Sequence, residues 1–366
     1  MKAKQSIVDH FIFEEYKTSA STLGLFRILF ATYVLFMVLP QHLWVPRFPN
    51  SFFNPPIGPT MFFTRFPSAQ FFLVVNGLSI LAAVCLLFGY RTRIASIGLA
   101  LLWFSGNCWA YSFGKINHDI LLILMLPIMQ LAGWGKAHSM DARRLPANGE
   151  KETRAWAVAL MALLVALAMM TAAVAKLTSG WLDPHSHAVL AHLLVNDLVT
   201  GRSNWFTNHM MFIHSGLVWE FFDDSTIFLE AAFLFTVAWR PAFRVVCALA
   251  CFFHLGIALT MEIAYVANLI VYAAFFDWSA LESRSGNLLR AWDRMLGKLP
   301  APGLLALGSV IAFAYLGLGG NPLGILFTDE WDPPGVAVCT LAALIAGMFL
   351  AGKIRRYAHE RRTNLP

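Results

Sequence analysis

The sequence predicts an all-α, polytopic transmembrane bundle of about ten spans, with both termini on the cytoplasmic side. Three observations predict it. Hydrophobic residues make up 58% of the chain and charged residues only 13%, about half the charged share of a soluble domain, whose surface must meet water. The apolar residues fall in stretches near the ~20 that a helix needs to cross ~30 Å of hydrocarbon. The basic residues gather on alternate connections, the pattern by which membrane proteins set their orientation.

The chain opens with a polar N-terminal segment of mixed charge, residues 1–22. The first apolar stretch, 23–43, is long and lacks a small-residue cleavage site, so it reads as an uncleaved span. The outer connection 44–69 carries Pro46, Pro49, Pro55, Pro56, Pro59 and Pro67 among many phenylalanines. That composition excludes a continuous helix and predicts an irregular aromatic cap. Spans follow at 70–90, 92–111, 119–135 and 155–178. The second long outer connection, 179–224, mixes Trp, Phe, Met and His with few charges. Within it Val189, Leu190, Leu193, Leu194 and Leu198 recur at helical spacing. They predict an amphipathic helix over 187–199 that lies in the interface or re-enters the membrane. Spans at 225–240, 243–262 and 264–281 complete a membrane domain, 23–282. Residues 283–366 then hold a basic cytoplasmic loop, two more spans (301–320 and 335–352) and a basic tail. No period of 20–50 residues recurs, so neither a repeat array nor an inverted-repeat transporter is expected.

With the N-terminus inside, 21 of the 27 lysines and arginines fall on inner segments or within two residues of the inner ends of the spans beside them. Arg47, Arg65, Lys115 and Arg202 are the four outer ones, and Arg27 and Lys176 lie within spans. The net charge of +6 therefore speaks for orientation. It does not point to nucleic acid, because no basic run is interleaved with exposed aromatics. The five cysteines all fall in apolar stretches, and no disulfide framework is expected.

Polar side chains inside spans are costly and gather where function is. Counting at ~1.5 Å per residue, Lys176 reaches the outer edge of the fifth span and Asn107 the outer half of the third. His118 and Asp119 open the fourth span from outside. Glu230 lies just inside the outer start of the sixth, His254 near the middle of the seventh, Glu262 at its outer end and Asn268 at the start of the eighth. Independent helices thus bring polar groups to one level, the outer leaflet. Each also has a plainer reading. Lys176 can snorkel to the outer head groups, and Glu230 can be an ion-pair or helix-end group. His254 can be an interhelical hydrogen-bonder, and His118 with Asp119 can cap the fourth span.

The connection 179–224 holds His185, His187, His192, His209 and His214, five of the eleven histidines. Its pairs are spaced by five rather than the four that sets two imidazoles on one helix face, and no metal site is expected. Cys247, Cys251 and His254 share a face of the seventh span, where small thiols usually pack. Ala172, Ala173 and Ala175 mark a close helix contact just before Lys176.

The stretch from Tyr111 through Gly114, Lys115, Asn117 and His118 to Asp119, followed by an apolar helix and by Trp134, Gly135, Ser139, Met140, Asp141 and Ala142, resembles the HTTM domain. This is the membrane domain shared by bacterial proteins and vitamin K-dependent gamma-carboxylase. Ala175, Lys176 and Leu177 with Trp181 and Leu182 are similar to a carboxylase segment in which a lysine precedes leucine and a spaced tryptophan. Phe253 and His254, with Met261, Glu262, Ile263 and Ala264, are similar to a carboxylase helix. Arg27 and the Gly89, Arg91, Thr92, Arg93 cluster fit the bacterial members. The resemblance runs in order over roughly residues 20–282.

The resemblance implies that Lys176 is the base that deprotonates a reduced quinone, vitamin K or menaquinone, before oxygen converts it to an epoxide. It implies that His118, of the Asn117 and His118 pair, assists the substrate and that His254 lines the same cavity. Asn107, Asn117, Asp119, Trp181, Glu230 and Glu262 are expected around that substrate. Desolvation disfavours an ammonium, so a lysine amine in lipid can act as a base near neutral pH. Pairing with Glu230 would favour the ammonium and weaken that argument. The carboxylase has a large lumenal region with no counterpart here after residue 282, so carboxylation of a protein is not implied. The expected setting is a bacterial inner membrane, with the lipid bilayer, a quinone and a secreted peptide or protein as partners. The rival reading is a non-catalytic membrane component of secreted-peptide maturation, export or immunity.

Overall fold

The computed structural model describes residues 6–39, 41–114, 119–144, 153–201, 204–318 and 333–363. Among them every regular element is a helix. In chain order the α-helices are α1 (Ile7–His10), α2 (Ala20–Tyr33), α3 (Ala69–Phe88), α4 (Thr92–Ala110), α5 (Ile120–Ala132), α6 (Ala155–Thr178), α7 (Ala188–Thr200), α8 (Trp205–Met211), α9 (Gly216–Thr236), α10 (Arg240–Met261), α11 (Val266–Ala273), α12 (Ser279–Arg284), α13 (Gly286–Lys298), α14 (Ala301–Gly317) and α15 (Pro333–Thr363). Six stretches are long and apolar enough to cross a membrane: Ala20–Val38, Ala69–Phe88, Thr92–Phe113, Ala155–Thr178, Arg240–Met261 and Pro334–Arg361. Helices α13 and α14 meet at a 104° bend and add a seventh if counted as one broken span.

Several expected elements differ in extent. The stretch 264–281 is helical over the 8 residues of α11, ~12 Å of rise, and again only from Ser279, where α12 begins. Helix α11 ends where Arg244 Nε takes the Phe275 carbonyl at 2.6 Å, an acceptor that a continuing helix would use itself. The span expected at 225–240 begins earlier, at Gly216, and brings Glu220, Asp223 and Asp224 into α9. The segment expected as a basic loop is a helix, α13, and the basic tail continues α15 as far as Thr363. The Pro-rich connection is irregular as expected, with short 3-10 turns at Val45–Arg47, Asn50–Phe52 and Pro59–Phe62. The amphipathic helix expected over 187–199 is present as α7.

The chain divides into two compact units. The first comprises Met1–Met161 and Phe276–Leu326. Here α3 packs against α2, α4 and α14, and α4 against α5. One end of this unit is tied by Arg27, which is fully buried in α2. Its guanidinium donates to the carbonyls of Leu86, Leu87 (2.8 Å), Trp134 (3.2 Å) and His138 (2.7 Å). These carbonyls lie in and beyond the last turns of α3 and α5, where helix C-termini leave acceptors unmatched. Asp141 does the converse at an N-terminus: its carboxylate accepts from the N–H groups of Arg91 (2.9 Å) and Thr92 (2.6 Å) and from the Thr92 hydroxyl (2.7 Å). The sequence allows so close a junction at Gly89, which has φ +66° and where a Cβ would sit 2.2 Å from the Ser139 side chain. At the other end of the unit Val45, Phe66, Phe72 and Trp109 form an aromatic core under the cap.

The second unit comprises Ala162–Phe275 and Phe327–Pro366. In it α10 packs against α15, α9, α8, α7 and α11. The last carbonyls of α10 are met from the connection 179–224. Asn196 donates to Met261 (2.6 Å), Asn204 to Leu259 (2.9 Å) and Thr207 to Thr260 (2.5 Å). In turn the fully buried Asp223 of α9 accepts the N–H groups of Ala188 and Val189, each at 2.7 Å, and caps α7. His187 enters that helix with φ +44° and bonds Glu220 at 3.1 Å. The connection is therefore fixed at both ends by side-chain caps.

Candidate functional site

In the second unit the last turn of α6 presents Lys176, with the exposed Val174, Leu177 and Thr178 beside it. Its ammonium donates to both oxygens of Glu230 on α9, at 2.7 and 2.8 Å. The Lys176 side chain is 21% exposed and that of Glu230 only 7%. The turn after α6 then folds Trp181 back, and its ring lies 5.3 Å from Lys176 Nζ. This cation–π contact adds to the ion pair. His192 of α7 packs on the far side of the association, 5.5 Å from the Trp181 ring.

His254 belongs to the same unit and lies buried in α10. Its Nε2 is 3.0 Å from the Tyr272 hydroxyl, which donates onward to Met169 Sδ at 3.8 Å. The imidazole thus donates through Nε2, and the bond joins α10 to α11. The ring also packs on Tyr265 at 5.3 Å. Both phenols lie in the neighbourhood of Glu230. Lys176, Trp181 and Glu230 are in direct contact, and His254 joins their surroundings through Tyr265 and Tyr272. Asn268 is buried beside Tyr272, and its side-chain oxygen has no hydrogen-bond partner among the described residues. Glu262 closes α10 in the left-handed region, φ +53°, and among the described residues it enters no ion pair. Cys251 donates to the Cys247 carbonyl within α10, a packing role.

The first unit holds a second polar group. Asn107 donates to the Tyr111 hydroxyl at 3.2 Å and to Asp119. Tyr111 donates to Asp119 at 3.3 Å. Asp119 therefore spends its carboxylate on α4 and does not cap α5 through its side chain. The Asn107 oxygen faces His42 Nε2 at 2.8 Å, and Asn76 lies 3.3 Å from His42 Nδ1. His42 is buried against Gly106, where a Cβ would stand 2.2 Å from the imidazole. Burial lowers the His42 pKa below its ordinary value, outweighing its bonds to Asn107 and Asn76 and the charge of Asp119. Asn117 and His118 lie outside the described residues.

Sequence reasoning missed His42, Asn76, Tyr265 and Tyr272. Only a small residue directly before Asn107 hinted at His42. Tyrosines flanking Asn268 were the corresponding hint in the second unit. Beside the aromatic core, a cavity of about 460 Å³ opens between the cap and α4, lined by Phe63, Arg65, Phe66, Phe71, Phe104 and Trp109.

The family model of the HTTM domain matches residues 16–278. The chain belongs to the HTTM family. No curated protein and no solved structure matches it. In this HTTM protein the matched region takes in Arg27, Asp141, Asn107, Asp119, Lys176, Glu230 and His254, and it ends before α12. Two of the stretches that carry the resemblance, around Gly89 and around Asp141, thereby acquire a structural meaning as the junction of α2, α3, α4 and α5.

Proposed function

We propose that this HTTM protein is a carboxylase-like membrane enzyme that deprotonates a lipid-soluble quinol, such as reduced menaquinone or vitamin K, from the outer face. The observation that carries the reading is the bidentate Lys176–Glu230 pair at 2.7 and 2.8 Å, roofed by Trp181. A charged pair in apolar surroundings is costly. It can discharge by moving one proton along its own hydrogen bond, which leaves a neutral amine and a protonated acid. The amine then accepts a proton from the quinol hydroxyl, and the quinolate is held beside the new ammonium. Trp181 offers an aromatic face to the planar ring. Tyr265, His254 and Glu262 belong to the same unit as the pair; for Asn107, Asn117, His118 and Asp119 the proposed substrate role is the one the resemblance implies. Purified protein in lipid nanodiscs, given reduced menaquinone and oxygen, is expected to yield modified quinone. Lys176→Ala is expected to abolish this and Glu230→Gln to slow it. If the wild type leaves every quinol untouched, the reading fails.

The same reading places the chain in an inner membrane with both termini in the cytoplasm and about ten crossings, α5, α9, α14 and the whole stretch 264–281 around α11 supplementing the six long helices. Residues 23–282 form the membrane domain and 283–366 an appended segment. In support, the end of the first unit tied by Arg27 and Asp141 also carries Arg91, Arg93, Lys136, Arg143 and Arg144, as the positive-inside rule requires. Reporter fusions after residues 150 and 363 that both read as external would overturn it.

A second reading, a non-catalytic partner of a secreted peptide, draws on the aromatic cavity under the cap and on the exposed Ile57, Met61, Phe62 and Phe63 beside it. It predicts that substitutions in 44–69 abolish function while Lys176→Arg is tolerated.

A further inference from the structure

Helix α13 lies outside the HTTM match and carries three stripes. Leu289, Trp292 and Leu296 face the first unit: Leu296 is buried, and Trp292 stacks on Phe88 at 5.4 Å and donates to the His138 carbonyl at 3.1 Å. Asp293 fastens the same side, its carboxylate 3.2 Å from His138 Nδ1 and its carbonyl accepting from Arg143. Next around the helix come Leu288 and Met295, seven residues apart and 73% and 41% exposed. The third stripe is Arg290, Arg294 and Lys298, all exposed. Docking on protein explains the first stripe. It leaves two large apolar side chains uncovered beside three cations.

The direction of the helix identifies what covers them. The axis turns by 104° between α13 and the apolar α14. If α14 runs across a bilayer, α13 runs along its surface. The apolar stripe then points toward the acyl boundary and the basic stripe lies at phosphate level, the arrangement of an interfacial helix. Arg91, Arg93, Arg143 and Arg144 stand at the same end of the unit and extend the positive surface.

We propose that α13 is an in-plane helix whose Leu288 and Met295 enter a leaflet of anionic phospholipid, with Arg290, Arg294 and Lys298 binding its phosphates. The inference does not depend on the chemistry of Lys176. Its test uses the full chain in nanodiscs, with a nitroxide at Leu288→Cys or Met295→Cys; the five native cysteines are buried. Both probes are expected to be accessible to oxygen and shielded from a water-soluble nickel chelate, whereas a probe at Asn287→Cys is expected to be open to the chelate. In mixed phosphatidylcholine and phosphatidylglycerol discs, Arg290→Gln with Arg294→Gln is expected to lower the affinity for labelled phosphatidylglycerol by about fivefold per arginine. Chelate access at 288 and 295 in anionic discs would overturn the proposal. So would unchanged lipid preference in a correctly folded double variant, or spin–spin coupling showing that a second copy covers the stripe.

Discussion

Glu230 holds the Lys176 ammonium with both of its carboxylate oxygens, at 2.7 and 2.8 Å. Removing either partner strands the other in a poorly solvated place. Glu230→Gln and Lys176→Met are each expected to cost about 2–4 kcal/mol, and the double variant carrying both clearly less than the sum, because the stranded charge disappears. Thermal unfolding of the four proteins in one detergent checks this. Additive losses would mean that the pair is not coupled.

Arg27 serves four carbonyls at once, which only a planar, five-donor guanidinium can do. Arg27→Lys is therefore expected to lose most of what Arg27→Met loses, about 3 kcal/mol or more. A lysine variant as stable as the wild type would refute the shared-acceptor account.

Asp223 caps α7 with two 2.7 Å bonds. Asp223→Ala is expected to cost about 1–2 kcal/mol and to open residues 185–200 to limited proteolysis, while leaving the first unit protected. Equal cleavage of variant and wild type would show that the cap does not fix the connection.

His42 gives a pH signature. Its folded pKa lies below the ordinary value because of burial, so the unfolded chain takes up this proton first as pH falls. The contribution of His42 is complete above ~6.5 and declines below it, by at most ~1.4 kcal/mol per pH unit until the folded imidazole protonates. Melting temperatures measured from pH 8 to 5 are expected to fall more steeply for the wild type than for His42→Gln. Gly106→Ala, which pushes a methyl into the imidazole, is expected to cost about 1–3 kcal/mol at any pH.

The long apolar helices, the irregular Phe- and Pro-rich cap and the amphipathic α7 were legible because each rests on local composition. Lys176 and Glu230 were also legible, since ionisable groups inside apolar stretches stand out, and Trp181 was marked by the resemblance. What escaped were features set by tertiary partners. The break after α11 depends on Arg244 reaching the Phe275 carbonyl, and the early start of α9 on Asp223 finding α7. His42 does not stand out at the end of the stretch 23–43, because nothing local shows that Asn76 and Asn107 meet it. The alternation of apolar and basic residues in α13 was read as a charged loop, because its apolar positions serve two different surroundings.

The Arg27 junction also bears on biosynthesis. Its acceptors lie 59, 60, 107 and 111 positions downstream, so a first helix released alone into lipid would carry an unmatched cation. The first helix is therefore expected to stay beside the insertion machinery until the chain as far as His138 has emerged. Ribosome-stalled chains ending near residue 60 are expected to crosslink from position 27 to the insertion channel, and those long enough to expose residue 144 to crosslink to their own later segments instead.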